Sequence, residues 1–332
     1  MSCISKQGLV LRFMYENFIK SSLSFKTNRC VGVNNIVIPI SSFSQNVLGL
    51  QSKHNLYSHQ VVSRELSQKA GDGNKHADLS VQREEQIAIL KLQRTPVNSL
   101  NLEYLQNLYN TIDELEKDKS CRGLIIASGI PKIFSAGLDI MEMFQPTEVR
   151  LRKFWGALQD FWLKLYMSPL VTVAAISGHS PAGGCIIALS CDYRIMTEGP
   201  FTIGLNETNL GIVAPLWFKN IYVNTFGQRQ AELSLQLGKQ FTVEEALRLG
   251  LVDEISPNVE DTIQKAQNIL KIWLQVPGTA RYRTKIMIRE ETAEKLIATK
   301  QKEINEVVQF IMQDSTQKNL AAYLESLKTF KR

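Results

Sequence analysis

Histidine is scarce in this chain: there are four in 332 residues, and three of them, His54, His59 and His76, fall in a polar N-terminal stretch. That leaves little from which to build a histidine-based metal centre or a Ser-His-Asp triad. Cysteine is sparse as well. The five, Cys3, Cys30, Cys121, Cys185 and Cys191, contain no C-x-x-C pair, which argues against a disulfide scaffold and fits free thiols in a reduced compartment. No apolar run reaches the roughly 20 residues of a membrane span. Zinc-finger spacing and RNA-binding aromatic signatures are missing too. The net charge of +6 therefore reads as a solvated basic surface rather than a nucleic-acid site, and it also suits an acidic nucleotide ligand.

What the chain does have is a globular composition, 44% hydrophobic and 21% charged. Its first part reads as an address. Up to Arg64 the only acid is Glu16, against Lys6, Arg12, Lys20, Lys26, Arg29, Lys53 and Arg64, and serine is frequent. A basic, serine-rich, acid-poor start is the composition of a mitochondrial transit peptide, and Gly8 to Lys20 has the makings of a short amphipathic helix. A tail with no targeting role is the alternative. The turn-forming run Gly71-Asp72-Gly73-Asn74 belongs to the linker. The expected organisation is a leader and linker over 1–76, a core over 77–275 and a helical region over 276–332.

Folded structure is expected to begin near Leu79. Ile87–Leu92 reads as a strand ended by Pro96, and Asn101–Lys117 as an amphipathic helix carrying Leu102, Leu105, Leu108, Ile112 and Leu115. Gly123–Ser128 and Val171–Ile176 read as fully buried strands. Val149–Tyr166 reads as a helix, Pro181–Leu189 as a short helix, and Tyr193–Met196 and Leu251–Ile255 as strands. Strands alternating with helices, followed by a helical tail, predict an α/β fold.

Three small-residue or polar segments stand out: Phe134-Ser135-Ala136-Gly137-Leu138-Asp139, Ile176 to Cys185, and Gly204-Leu205-Asn206-Glu207-Thr208. The first N–H groups of a helix have no intrahelical partner and face a favourable dipole for negative charge. Gly183 at a helix start, with Ala136 in a second small turn, is therefore a candidate pair of donors for an oxyanion. Tight packing of a strand on a helix selects the same residues, and from these residues alone it is the simpler account. Gly178-His179-Ser180-Pro181-Ala182 lacks the last glycine of a nucleophile elbow, and no histidine follows it to activate the serine. No Lys-Ser/Thr pair follows Gly184, which rules out a phosphate loop. Cys185 and Cys191 read as buried small residues, not metal ligands.

The run Val173 to Tyr193 resembles the signature of the crotonase (enoyl-CoA hydratase/isomerase) family, with Ile176, Gly178, Ala182-Gly183-Gly184 and Cys191-Asp192-Tyr193 in register. Ser135-Ala136-Gly137-Leu138-Asp139 resembles that family's other oxyanion loop, and Pro96-Val97-Asn98-Ser99-Leu100 its early turn into the first helix. The resemblance covers about Leu79 to Phe330. It implies stacked β-β-α units with a helical C-terminal trimerisation region. It implies oxyanion donors at Ala136 and Gly183, which reverses the balance at Gly183 in favour of function. It implies an acyl-CoA site lined by Ala136, Gly137, Leu138, Asp139, Ile140, Gly183 and Asn206, and catalysis by Glu207. No metal or other cofactor is implied, since coenzyme A arrives as part of the substrate. Lys285 is the candidate contact to its phosphates. One departure is informative: where the family's hydratases carry a first glutamate, three residues after the oxyanion glycine, this chain has Ile186. The expectation is a mitochondrial-matrix homotrimer that moves a 3-enoyl-CoA double bond to position 2 in fatty-acid β-oxidation, with one glutamate as proton carrier. Another acyl-CoA enzyme of the fold, a hydratase or dienoyl-CoA isomerase, is the alternative. A non-catalytic RNA-binding relative is a more distant one.

Overall fold

The computed structural model describes residues 78–329, so the leader expected over 1–76 lies outside the described residues. The strands are β1 (Leu79–Glu84), β2 (Ile87–Leu92), β3 (Gly123–Ser128), β4 (Lys132–Ile133), β5 (Val171–Ile176), β6 (Gly178–Pro181), β7 (Tyr193–Thr197), β8 (Thr202–Gly204), β9 (Phe241–Thr242) and β10 (Glu254–Ser256). The helices are α1 (Leu102–Lys117), α2 (Glu148–Tyr166), α3 (Gly183–Ser190), α4 (Leu216–Phe226), α5 (Gln228–Leu237), α6 (Val243–Leu249), α7 (Val259–Trp273), α8 (Gly278–Ile311) and α9 (Asp314–Thr329).

A six-stranded sheet runs in the order β1-β2-β3-β5-β7-β10. The β1–β2 hairpin is antiparallel and the other pairings are parallel. Side-chain alternation divides the apolar strands between two layers. Ile87 and Ile89 of β2, Ile125 and Ala127 of β3, and Val171, Val173 and Ala175 of β5 pack with Ala266 and Leu270 of α7. Their neighbours Ala88, Leu90, Leu124, Ile126, Ala174 and Ile176 enter the larger core shared with α1, α2 and α3. Burial on both faces is why these strands read as nearly continuous apolar runs, broken by Lys91 in β2 and by the buried Thr172 in β5. On α1, Asn101 caps the helix by accepting the Tyr104 N–H at 3.0 Å, and the five predicted apolar positions are all buried.

The sequence gives no warning of a second sheet, β4-β6-β8-β9. Its strands are two to four residues long, too short to show a period. The helix expected from Pro181 begins instead at Gly183, because Gly178–Pro181 is spent on β6. The last strand lies at Glu254–Ser256 rather than Leu251–Ile255. Helix α8 packs along α2 and α4. Its Ile304, Val308 and Ile311, set four and three residues apart on one face, enter the main core, so this apolar spacing serves packing within the chain. Among the described residues no helix is long and apolar enough to cross a membrane.

Candidate active site

Two turns meet where Gly137 lies against Gly183. The first, Ser135–Asp139, is held by the segment that resembles the family's early turn. Asn98 is fully buried with φ of +52°. Its amide donates to Ser128 Oγ at 2.9 Å and to the Phe134 carbonyl at 3.0 Å. Ser135 Oγ donates to the Asn98 carbonyl at 2.7 Å and accepts the Gly137 N–H at 3.1 Å. The Leu100 N–H then donates to the Gly137 carbonyl at 2.8 Å, and the Asp139 N–H to the Leu100 carbonyl at 2.9 Å. This one-residue parallel bridge between Leu100 and Leu138 turns both flanking groups towards Leu100. Pleating therefore turns the Leu138 N–H to the opposite side, where it has no hydrogen-bond partner among the described residues. Asp139 is an anchor: it pairs with Arg94 at 3.1 Å and accepts the Met141 N–H at 3.2 Å.

The second turn leaves β6 through Ala182, whose φ of +48° is strained for a residue with a side chain. The Ala182 N–H donates to the Gly204 carbonyl at 2.8 Å. Gly183 follows as the first residue of α3, and its N–H has no partner among the described residues. A Cβ on Gly137 would stand 2.8 Å from the Gly183 nitrogen, and Gly137 has φ of +83°. Two demands, for backbone conformation and for close approach, thus fall on one glycine. A Cβ on Gly184 would meet the Ser135 carbonyl oxygen at 2.4 Å. Packing accounts for Gly184 and also crowds Gly183, where a Cβ would stand 3.2 Å from the Gly137 Cα, but at Gly183 the unpaired N–H is the useful group.

Glu207 begins a 3-10 turn, Glu207–Leu210, just after β8. The pairing of Pro181 with Gly204 sets this segment beside the second turn. Glu207 is 7% exposed, and its Oε2 has no hydrogen-bond partner. Burial pushes its carboxyl up to about 7, only partly offset by its own backbone N–H. Cys185 on α3 is close enough that the Glu207 charge adds to the burial that raises its thiol. The carbonyl oxygen of the Asn206 side chain is likewise buried and unpartnered. Ile186, next along α3, is 3% exposed and brings no second acid. The arrangement is an unpaired carboxylate near neutrality beside two free backbone N–H groups, which is equipment for proton transfer at a carbon next to a carbonyl.

Two sequence expectations are corrected. The Ala136 N–H donates to the Val97 carbonyl at 2.9 Å, so it is a structural bond and not a free donor; the unpaired N–H of this turn is that of Leu138. Lys285 is 8% exposed, and its ammonium donates to the Ser168 and Leu170 carbonyls at 2.9 and 3.1 Å and to Asp192 at 2.8 Å. Burial, partly countered by Asp192, lowers it to about 8, and it is not available to a phosphate. Sequence reading placed Leu138 only in the lining. The signal that could have found it is Gly137, because a residue following a positive-φ glycine is re-aimed.

Comparison with known proteins agrees with this geometry. The enoyl-CoA hydratase/isomerase family profile matches residues 82–332. The chain is 49% identical to mitochondrial enoyl-CoA delta isomerase 1 of Mus musculus over 244 residues, 73% of this chain and 84% of that protein. Identity to the Homo sapiens protein of the same name is 47%, over 73% of this chain and 80% of that one. Among solved structures, human mitochondrial delta3-delta2-enoyl-CoA isomerase superposes with a TM-score of 0.75 at 44% identity, covering 77% of this chain and 100% of that one. An enoyl-CoA hydratase from Bacillus halodurans gives 0.68 at 28% identity, covering 74% and 100%.

Proposed function

The chain belongs to the enoyl-CoA hydratase/isomerase family, and on that premise we infer that Glu207 alone carries the proton in an enoyl-CoA isomerisation. The protein is an isomerase that converts 3-enoyl-CoA, cis or trans, to 2-trans-enoyl-CoA in the β-oxidation of unsaturated fatty acids. The observation that carries the single-carboxylate reading is Glu207 itself: buried, raised to about 7, with one oxygen unpaired and an isoleucine where a second acid would stand.

In this mechanism Glu207 removes a proton from C2 of the 3-enoyl thioester. The electron pair of that C–H bond delocalises into a dienolate, with negative charge on the thioester oxygen. The N–H groups of Leu138 and Gly183 donate to that oxygen, an effect worth about 10²–10³ in rate for each donor lost. The same Glu207 then delivers the proton to C4, which leaves the double bond between C2 and C3. A carboxyl near 7 suits both halves, because it is a better base than an ordinary glutamate and is still acidic enough to give the proton back. Water addition needs a second group to position the nucleophile, and Ile186 offers none. The steps call for no metal or separate cofactor. Asn206 and the 136–140 turn would line the acyl-CoA site.

The same reading includes a homotrimer in the mitochondrial matrix. The mitochondrial names of the relatives and the basic, acid-poor stretch before Arg64 support the location, and family likeness supports the assembly. Turnover of 3-enoyl-, 2-enoyl- and dienoyl-CoA by protein lacking the leader tests the function. Fast 3-to-2 conversion with at most weak hydration is expected. Dominant hydration would overturn the reading.

A further inference from the structure

Arg289, on the C-terminal helix α8, touches neither Glu207 nor the two free N–H groups. It does grip the far end of α3, the helix whose first residue is Gly183. Its guanidinium donates to the Ser190 carbonyl at 2.9 Å and the Cys191 carbonyl at 3.2 Å. It also donates to the Tyr166 carbonyl at the end of α2 at 2.7 Å, lies 4.6 Å from the Tyr166 ring centre and pairs with Asp192 at 3.0 Å. Asp192 is in turn fixed by Lys285 at 2.8 Å and by the Thr172 N–H at 3.0 Å.

We propose that Arg289 is a positioning residue for the reaction: by fixing the C-terminal end of α3 it aligns the Gly183 N–H with the thioester oxygen. This rests on the active-site reading above.

The physical argument starts from the helix. Eight residues span only about 12 Å, and all eight are buried. The last carbonyls of a helix have no intrahelical partner, and here burial denies them water, so Arg289 is what satisfies the Ser190 carbonyl. A cation at this end also opposes the negative pole of the helix dipole. At the other end, Ala182 is held at a strained positive φ, a conformation that persists only when its surroundings over-determine it. A short rigid rod with a strained joint at one end and a charged clamp at the other transmits displacement. Releasing the clamp lets the rod shift, and its first N–H moves with it. The clamp comes from α8, so the C-terminal region contributes to catalysis without reaching the substrate.

The test compares wild type with Arg289→Ala and Arg289→Lys, the latter keeping the charge and losing the planar fork. Steady-state kinetics with 3-enoyl-CoA are read beside the absorbance red shift of a bound conjugated aryl-enoyl-CoA, which reports polarisation of the thioester carbonyl. Thermal unfolding gives the folded fraction. Arg289→Ala is expected to lose about 10- to 100-fold in kcat, the scale of a small misplacement, with KM within about twofold and a diminished red shift. Added guanidinium ion should restore part of the lost kcat. Arg289→Lys should lose less, and it carries the test if the alanine variant does not fold. Variants that lose only thermal stability, with kcat per folded molecule and red shift unchanged, overturn the proposal alone. A wild-type protein that shows no red shift overturns the active-site reading and takes the proposal with it.

Discussion

Replacing Glu207 by glutamine should abolish turnover and at the same time change how stability depends on pH. Burial holds the carboxyl near 7, against 4.5 for an ordinary glutamate. Between those values the folded protein keeps a proton that the unfolded chain has released, so folding stability falls as pH rises through that window. For this one group the loss is about 1 kcal/mol at pH 5 and about 3 kcal/mol at pH 8. Glutamine carries no such loss. Its amide, in the same unpartnered position, costs about 1–3 kcal/mol at every pH. The sign of the difference at any single pH is therefore set by a balance, but its change is not: from pH 5 to pH 8 the variant should gain about 2–2.5 kcal/mol on the wild type. Urea unfolding at the two pH values measures this, since every other titrating group is common to both proteins. Turnover of 3-enoyl-CoA should fall by orders of magnitude with binding little changed, the mark of a group acting in the transition state. Stability curves that run parallel from pH 5 to pH 8 would refute the raised carboxyl. Near-normal turnover would refute the single-glutamate mechanism.

Gly137→Ala places a Cβ 2.8 Å from the Gly183 nitrogen at φ of +83°; kcat should drop about 100-fold or more as the oxyanion donors separate, measured on folded protein by the same assay. Ile186→Glu should lose isomerase activity, because a second carboxylate close by raises one of the pair further; parallel assays of 3-enoyl-CoA isomerisation and 2-enoyl-CoA hydration decide, and an undiminished isomerase would count against it. Light scattering at micromolar concentration should give the mass of a trimer, and a monomer mass would contradict the assembly. Intact-mass measurement on protein from isolated mitochondria should show a missing N-terminus, whereas a full-length cytosolic species alone would end the matrix assignment.

The parts of the fold that were legible are those whose physics repeats along the chain. Strands β3 and β5 were bounded to the residue, because a strand buried on both faces is a nearly continuous apolar run, with the buried Thr172 the one polar residue inside β5. Helix α1 was legible through its 3.6-residue period, and Asn101, read as its first residue, is its cap. The second sheet was not. Strands β4, β8 and β9 are too short to carry a pattern, and β6 is a Gly-His-Ser-Pro strand held by long-range pairing with β4 and β8. The apolar spacing of α8 was visible, but spacing does not say which surface it meets. Ile304, Val308 and Ile311 meet this chain's own core.

In the candidate site the dividing line runs between side-chain and backbone chemistry. Glu207 could be found through the family resemblance because a carboxylate is written in the sequence, and Ile186 because its departure from that family's pattern is written there too. An oxyanion donor is an N–H that every residue but proline owns, so what selects it is which N–H the fold leaves unpaired. Ala136 and Leu138 are two residues apart in one turn, and a period-2 backbone sends both N–H groups to the same side in a regular strand. Here φ of +83° at Gly137 breaks that regularity between them. The Ala136 N–H is taken by Val97, and the Leu138 N–H is left free beside Gly183. A similar reasoning separates Lys285 from the role expected of it. A lysine near the end of a basic chain is an obvious phosphate ligand on charge alone, yet Asp192 and two carbonyls occupy all three of its donor positions. Charge can be counted in a sequence, but whether a charge is free depends on partners that only the fold brings within reach.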